Sequence, residues 1–184
     1  MSANTGFDAF FPRLVAALDR LPGVGEQAAR RLARHLMADD QAAELAHLIA
    51  TAQHDFRLCR CCRMYSAEEL CPSCCQLSAD GRLLVVEQAD ELLHWRDAGY
   101  AGPAFVLHGL LSPMTGRGPS QLGLSLLKQR VAEEDVGRLL LSLDDSVEAR
   151  ATVTFIAQMV PQAEVQRLSV EQIKQQLLIE KEPG

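Results

Sequence analysis

Two Cys-x-x-Cys pairs, with eight residues between them, constrain this chain more than any other feature: Cys59 with Cys62, and Cys71 with Cys74. Each pair presents two thiolates on one tight knuckle. Two knuckles give a tetrahedral ion four soft ligands and leave no open position. The pattern predicts one structural zinc ion, not a catalytic one. All six cysteines fall within seventeen residues, 59 to 75, so Cys61 and Cys75 are left over. Either could substitute for a neighbour, but the two-spacer pairing uses both knuckles in the same geometry and is preferred. A redox Cys-x-x-Cys would open a helix in a thioredoxin-like unit, and nothing in the chain suggests one. A ribbon this small has too little core to fold without its metal.

Clustered thiols hold metal more often than they form disulfides when the compartment is reducing. The opening MSANTGFDAFFPRL has neither the basic start nor the long apolar core of a secretory signal, and no apolar run is long enough to span a membrane. A cytoplasmic protein with no membrane partner is expected. The 184 residues suffice for one sizeable domain or two small ones, and 48% hydrophobic content can fill a core. The net charge of −6 argues against a strongly basic nucleic-acid binder, but its distribution matters more. Residues 1 to 75 hold eight Arg against nine acids, whereas residues 76 to 184 hold ten Lys or Arg against fifteen, a balance of −5. An anionic partner is expected on the first half, and protein or a cation on the second.

No internal repeat or low-complexity segment is visible. Helical spacing predicts a first helix over about Phe7 to Arg20, with Phe7, Phe10, Phe11, Leu14 and Leu18 recurring at the helical period. A second runs from about Gln27 to Leu36, with Ala28, Leu32 and Leu36 on one face. A third, capped by Asp39 or Asp40, runs from about Gln41 to Phe56 with Leu45, Leu48 and Ile49 inward. After Ser78 the rhythm changes. RLLVVE, AFVLHG and GRLLLSLDD read as strands, and AEVQRLS as a weak fourth. ADELLHWRDAG, PSQLGLSLLKQRVAEE and VEQIKQQLLIEK read as helices, while VEARATVTFIAQMV is helical in pattern but rich in Val and Thr. Strands alternating with helices predict a parallel sheet with helices on its faces.

The stretch LPGVGEQAARRLARHL places Gly23, Val24 and Gly25 between two helices. Glycine permits a positive φ and leaves backbone amides uncovered at a helix N-terminus, where an anion is favoured. From Arg20 to Arg34 four Arg face one acid, Glu26, and Arg30, Arg31 and Arg34 lie on the second helix. A helix-hairpin-helix phosphate binder needs this combination of amides and cations, with no reading of bases. An ordinary turn between two core helices fits the hairpin equally well.

Glu87 ends the first sheet strand, and Asp144 and Asp145 end the third. Ligands of parallel sheets gather beyond the carboxyl ends of strands, where three carboxylates could hold Mg²⁺. Capping and turning are the plainer roles for the two aspartates. His108 reads as structural. HGLLSPMTGRGPSQLG is a long loop with four glycines and two prolines; it lacks the Gly-Lys-Ser/Thr ending of a P-loop. A loop this long in a compact domain is usually functional or disordered.

Taken in order, LPGVG with ARRLARHL, the four-cysteine pattern, LLVVEQAD and above all FVLHGLLSPMTGRGPSQLGL resemble the bacterial RecR family of recombination mediators, over about residues 10 to 160. The resemblance implies a multidomain α/β chain. Its parts are a helix-hairpin-helix domain (1–56), a four-cysteine zinc finger (57–78), a Toprim-like parallel sheet with helices on both faces (79–170) and a C-terminal helix or tail (171–184). It implies a non-enzymatic, ring-forming homo-oligomer, dimer or tetramer, that clamps DNA and works with RecO- and RecF-like proteins to load recombinase at gaps. It assigns Gly23, Val24, Gly25, Arg30, Arg31 and Arg34 to DNA, and Glu87, Asp144 and Glu148 to the acidic partner surface. Where the family carries Pro-Lys after the hairpin, this chain has Glu26-Gln27; Arg150 reverses a family charge, and LSVEQIKQQLLIEKEPG replaces a Gly-rich C-terminal segment. Two other readings compete with the mediator: a Mg²⁺-dependent Toprim nuclease or primase-like enzyme, and a protein-interaction module with little DNA binding.

Overall fold

A computed structural model describes residues 6–76, 81–168 and 172. The chain divides into two compact units, residues 1–54 and 55–184. The first unit is helical, with α1 (Phe7–Asp19), α2 (Glu26–Ala38) and α3 (Ala42–Asp55). Its buried core is small: Val15 of α1 meets Ala29 and Ala33 of α2, with Phe11, Leu14, Leu18 and Val24 packed around them. Ala29 and Ala33 are four apart and so share one helix face, and their small side chains let the two backbones approach closely. The inward stripe of α2 is therefore shifted by one residue from the expected Ala28, Leu32 and Leu36; Leu32 is exposed. Close helix contact selects for size, which places the small Ala29 and Ala33 at the seam.

Apolar side chains expected inward on α3, and two on α1, stand exposed in this unit. Phe7 and Phe10 of α1 are exposed, and Phe7 stacks on Phe11 at the surface. Leu45, Leu48 and Ile49 are exposed as well, and α3 buries no residue at all. The spacing correctly puts these side chains on one stripe, but periodicity does not say that the stripe finds a core within the same chain. Asp39 does not act as the expected cap of α3: its carboxylate accepts from the Gln41 amide at 2.9 Å, before the helix begins at Ala42, and so orders the turn that leads into it.

The second unit opens with a short antiparallel pair, β1 (Arg57–Leu58) and β2 (Tyr65–Ser66), followed by the one-turn α4 (Pro72–Gln76). A four-stranded parallel sheet follows, in the order β4-β3-β5-β6: β3 is Arg82–Val86, β4 Ala104–Val106, β5 Arg138–Ser142 and β6 Glu164–Arg167. β3 is buried on both faces, so it reads as an unbroken apolar run instead of an alternation. Leu83 and Val85 join a core with α6 (Leu124–Glu133) and α7 (Val147–Met159), through Leu127, Val131 and Ile156. Leu84 and Val86 face the other way, towards Leu92 and Trp95 of α5 (Ala89–Asp97). Helices thus cover both faces, as the alternating pattern predicts.

Element ends depart from expectation where the backbone turns left-handed. β4 stops at Val106 because His108 has φ +62, and α6 begins at Leu124, not Pro119, because Gly123 has φ +66. The Val- and Thr-rich segment is helix α7: the Ser146 hydroxyl caps it, and the Thr152 and Thr154 hydroxyls donate to the carbonyls of Glu148 and Arg150. The weak fourth strand exists as edge strand β6. The closing helix expected over 171–184 lies outside the described residues, Gln172 apart.

Leu83 is fully buried at the centre of the sheet. Leu83→Ala should lower unfolding stability by about 2–5 kcal/mol, read as a shift of the urea midpoint at unchanged slope.

Candidate metal centre and helical hairpin

The first knuckle is built by backbone bonds. The Cys59 amide donates to the Met64 carbonyl at 2.8 Å, and the Arg63 amide donates to the Cys59 carbonyl at 2.9 Å. Closing so tight a turn puts Arg63 at φ +60. Amides then point at the sulfurs: Cys71 N–H at Cys59 Sγ (3.3 Å) and Met64 N–H at Cys62 Sγ (3.4 Å). Cys59, Cys62 and Cys71 are buried and Cys74 is half-buried, and their four Sγ atoms all lie within 4.8 Å of one another. A tetrahedral ion with bonds of about 2.3 Å sets its sulfurs roughly 3.8 Å apart, so the four thiols fit one thiolate-bound metal. Among the described residues they are the one group of three or more potential ligands whose donor atoms converge. Cys62 Sγ and Cys71 Sγ lie 3.5 Å apart. A bond from Cys74 pulls the Cys62 thiol down, whereas burial pushes the Cys71 thiol up.

The left-over cysteines stand outside this set. Cys61 packs against the cluster and points its thiol at Glu134 Oε1, 3.9 Å away, while Cys75 is exposed beside the Leu70 carbonyl.

The knuckle is fastened to the sheet. The Val106 amide at the edge of β4 donates to the Cys62 carbonyl at 2.9 Å. Arg63 donates from Nε to the Val106 carbonyl (3.1 Å) and from Nη2 to the Gln121 carbonyl (3.0 Å), and its guanidinium lies where a Cβ at Gly123 would be. His108 Nε2 pairs with the Arg63 carbonyl at 2.6 Å, and the ring stands edge-on to Tyr65. Arg130, almost wholly buried on α6, gives Nε to Glu134 (2.8 Å) and Nη1 to the carbonyls of Ala104 (2.7 Å) and Cys61 (3.3 Å). Sequence reading assigned His108 a structural role but missed Arg63 and Arg130. Arg63 and the Nη1 of Arg130 reach backbone carbonyls, which leave no mark in side-chain patterns; the Arg130–Glu134 spacing of four is the one signal the sequence held.

The long loop between β4 and α6 is ordered by its own bonds. Ser112 and Arg117 exchange two backbone hydrogen bonds of 3.0 Å, and the Leu111 amide donates to Thr152 Oγ1 at 3.0 Å. Arg117 packs on Gly109, whose φ of +129 and lack of Cβ both suit that contact.

Of the strand-end acids, Glu87 is half-buried, and burial together with the charge of Asp144 holds its carboxyl above the usual range. Asp144 is exposed and bound by the hydroxyl and amide of Ser146, which lower it. Asp145 is engaged by Arg167 (2.6 Å) and by Arg150 (3.4 Å). Glu148 sits in the first turn of α7. Glu87 and Asp144 are close enough for their charges to interact, but the three predicted acids do not converge as a ligand set.

In the helical unit Gly23 has φ +77, which demands glycine. Gly25 is the N-cap of α2 with extended backbone, so its value lies in openness: a Cβ at either glycine would meet nothing within 4 Å. No side chain caps the first-turn amides of α2. Behind them, Arg30 pairs with Glu26 at 3.0 Å, and Arg34 donates to the Arg30 carbonyl at 3.3 Å. Arg31 is exposed.

These features define a class: a helical hairpin with open amides, combined with a four-thiol metal ribbon fastened to the edge of a parallel α/β sheet. The model of the RecR helix-hairpin-helix family matches residues 11–53. The recombination protein RecR of Shewanella denitrificans is 39% identical over 158 residues, covering 83% of this chain and 79% of its own length. The chain belongs to the RecR family of recombination proteins.

Cys71→Ser should lose the bound metal, whereas Cys61→Ser and Cys75→Ser should each keep about one ion per chain, measured by elemental analysis of purified protein. Full metal content in Cys71→Ser would transfer the ligand role to Cys61 or Cys75.

Proposed function

We propose that this protein is a zinc-bearing, non-enzymatic recombination and repair mediator that grips DNA through its helical hairpin. The kinship with RecR over most of the chain is the observation that carries this reading. The open amides beside Gly23 and Gly25, with Arg30, Arg31 and Arg34 on the following helix, support sequence-independent phosphate contact. Four converged thiols, three of them buried, support zinc in a structural role.

The domains follow the same reading: a helix-hairpin-helix over 1–56, a zinc finger over 57–78, a Toprim-like sheet over 79–170 and a tail over 171–184. Glu87, Asp144 and Glu148 form the acidic surface offered to RecO- and RecF-like proteins, which together with this chain load recombinase onto gapped DNA in the cytoplasm. Self-association into a dimer or a tetrameric ring accounts for Leu45, Leu48 and Ile49 standing bare on α3. Among the described residues no helix is long and apolar enough to cross a membrane. A Mg²⁺-dependent nuclease draws less support, because Asp145 is spent on Arg150 and Arg167.

Titrating metal-loaded protein against gapped duplex DNA in a salt series tests the proposal. Log affinity should fall linearly with log salt, by about 0.9 per phosphate contact. Arg30→Glu combined with Arg31→Glu should abolish binding without altering the far-ultraviolet circular dichroism. Unchanged affinity in that variant would sink the assignment.

A further inference from the structure

Glu26 occupies the first helical position of α2, one residue beyond the N-cap Gly25. An incoming phosphate would find its donors there: first-turn amides with no side-chain cap, facing open space before Gly23 and Gly25. The carboxylate is two-thirds exposed, and it accepts from both Nε (3.2 Å) and Nη2 (3.0 Å) of Arg30. Both side chains line a cleft between α1 and α2 that Asp19 also lines. Arg30 thus shares a cleft with two acids and is paired to one of them, whereas Arg31 and Arg34 form no ion pair among the described residues.

We propose that Glu26 is an intrinsic brake on DNA affinity: it holds Arg30 away from the phosphate and repels the phosphate from the amides of α2. The inference rests on the DNA-binding reading above and deepens it, because it makes Glu26 the residue that sets how tightly the hairpin grips. An exposed i, i+4 pair is weak, and the bonded geometry is easily exchanged. The brake therefore tunes affinity without preventing binding. A phosphate that displaces Glu26 gains both a freed guanidinium and unshared amides. The effect is electrostatic, so salt should diminish it.

Glu26→Gln keeps size and hydrogen-bonding capacity while removing the charge. Its affinity for gapped duplex DNA at low salt should rise about three- to tenfold over the parent, and the gain should shrink at high salt. Arg30→Gln alone should weaken binding. In an Arg30→Gln background the gain from Glu26→Gln should be smaller, because only direct repulsion remains to be relieved; this double-mutant cycle separates masking from repulsion. Circular dichroism and the urea midpoint check that Glu26→Gln stays folded, as its exposure predicts. If the parent and Glu26→Gln both fail to bind at low salt, the DNA-binding reading fails. If the parent binds and Glu26→Gln binds equally or more weakly, DNA binding stands and the brake is overturned. An equal gain with and without Arg30 would overturn the masking half of the proposal.

Discussion

The backbone of Cys62 and Arg63 is the joint on which the larger unit depends. The sulfur of Cys62 belongs to the four-thiol cluster, its carbonyl accepts from Val106 at the edge of the sheet, and the next residue sends its guanidinium into the sheet and the long loop. An edge strand leaves a row of unpaired backbone groups, and here the ribbon occupies part of that row on β4. A charged guanidinium on backbone carbonyls forms stronger bonds than a neutral donor. Arg130 does the same from beneath: it is almost fully buried but satisfied by a carboxylate and two carbonyls. The four-thiol cluster and the sheet are therefore parts of one network, and the ribbon borrows from the sheet the core it lacks.

That network also explains the loop between β4 and α6. Its ends are held by groups reaching out of the knuckle: His108 by the Arg63 carbonyl, and Gln121 with Gly123 by the Arg63 side chain. Its middle is closed by the Ser112–Arg117 bridge and anchored to Thr152. The left-handed conformations at Arg63, His108 and Gly123 all fall in this one region. Strain concentrated where the surrounding bonds over-determine it is typical of sites that present a fixed surface.

Charge is arranged locally, and the total of −6 hides that arrangement. On the helical unit, one acid among the arginines decides which cation is free. At the strand ends, two arginines take up Asp145, Ser146 engages Asp144, and Glu87 is left half-buried and above its ordinary pKa.

The sequence by itself determined which four cysteines converge, the parallel sheet with helices on both faces, and the hairpin with its glycines. Each of these follows from short-range rules: two-residue spacers, unbroken apolar runs between helical periods, and glycine where φ is positive. Tertiary structure alone decided which apolar stripes are covered. Ala29 and Ala33 are core because two helices approach closely, while Leu45, Leu48 and Ile49 have the right period and no core to enter. It also decided the roles of Arg63 and Arg130, which reach backbone carbonyls far along the chain. Local periodicity reports what a segment offers. What meets it is fixed only when distant parts of the chain are brought into contact.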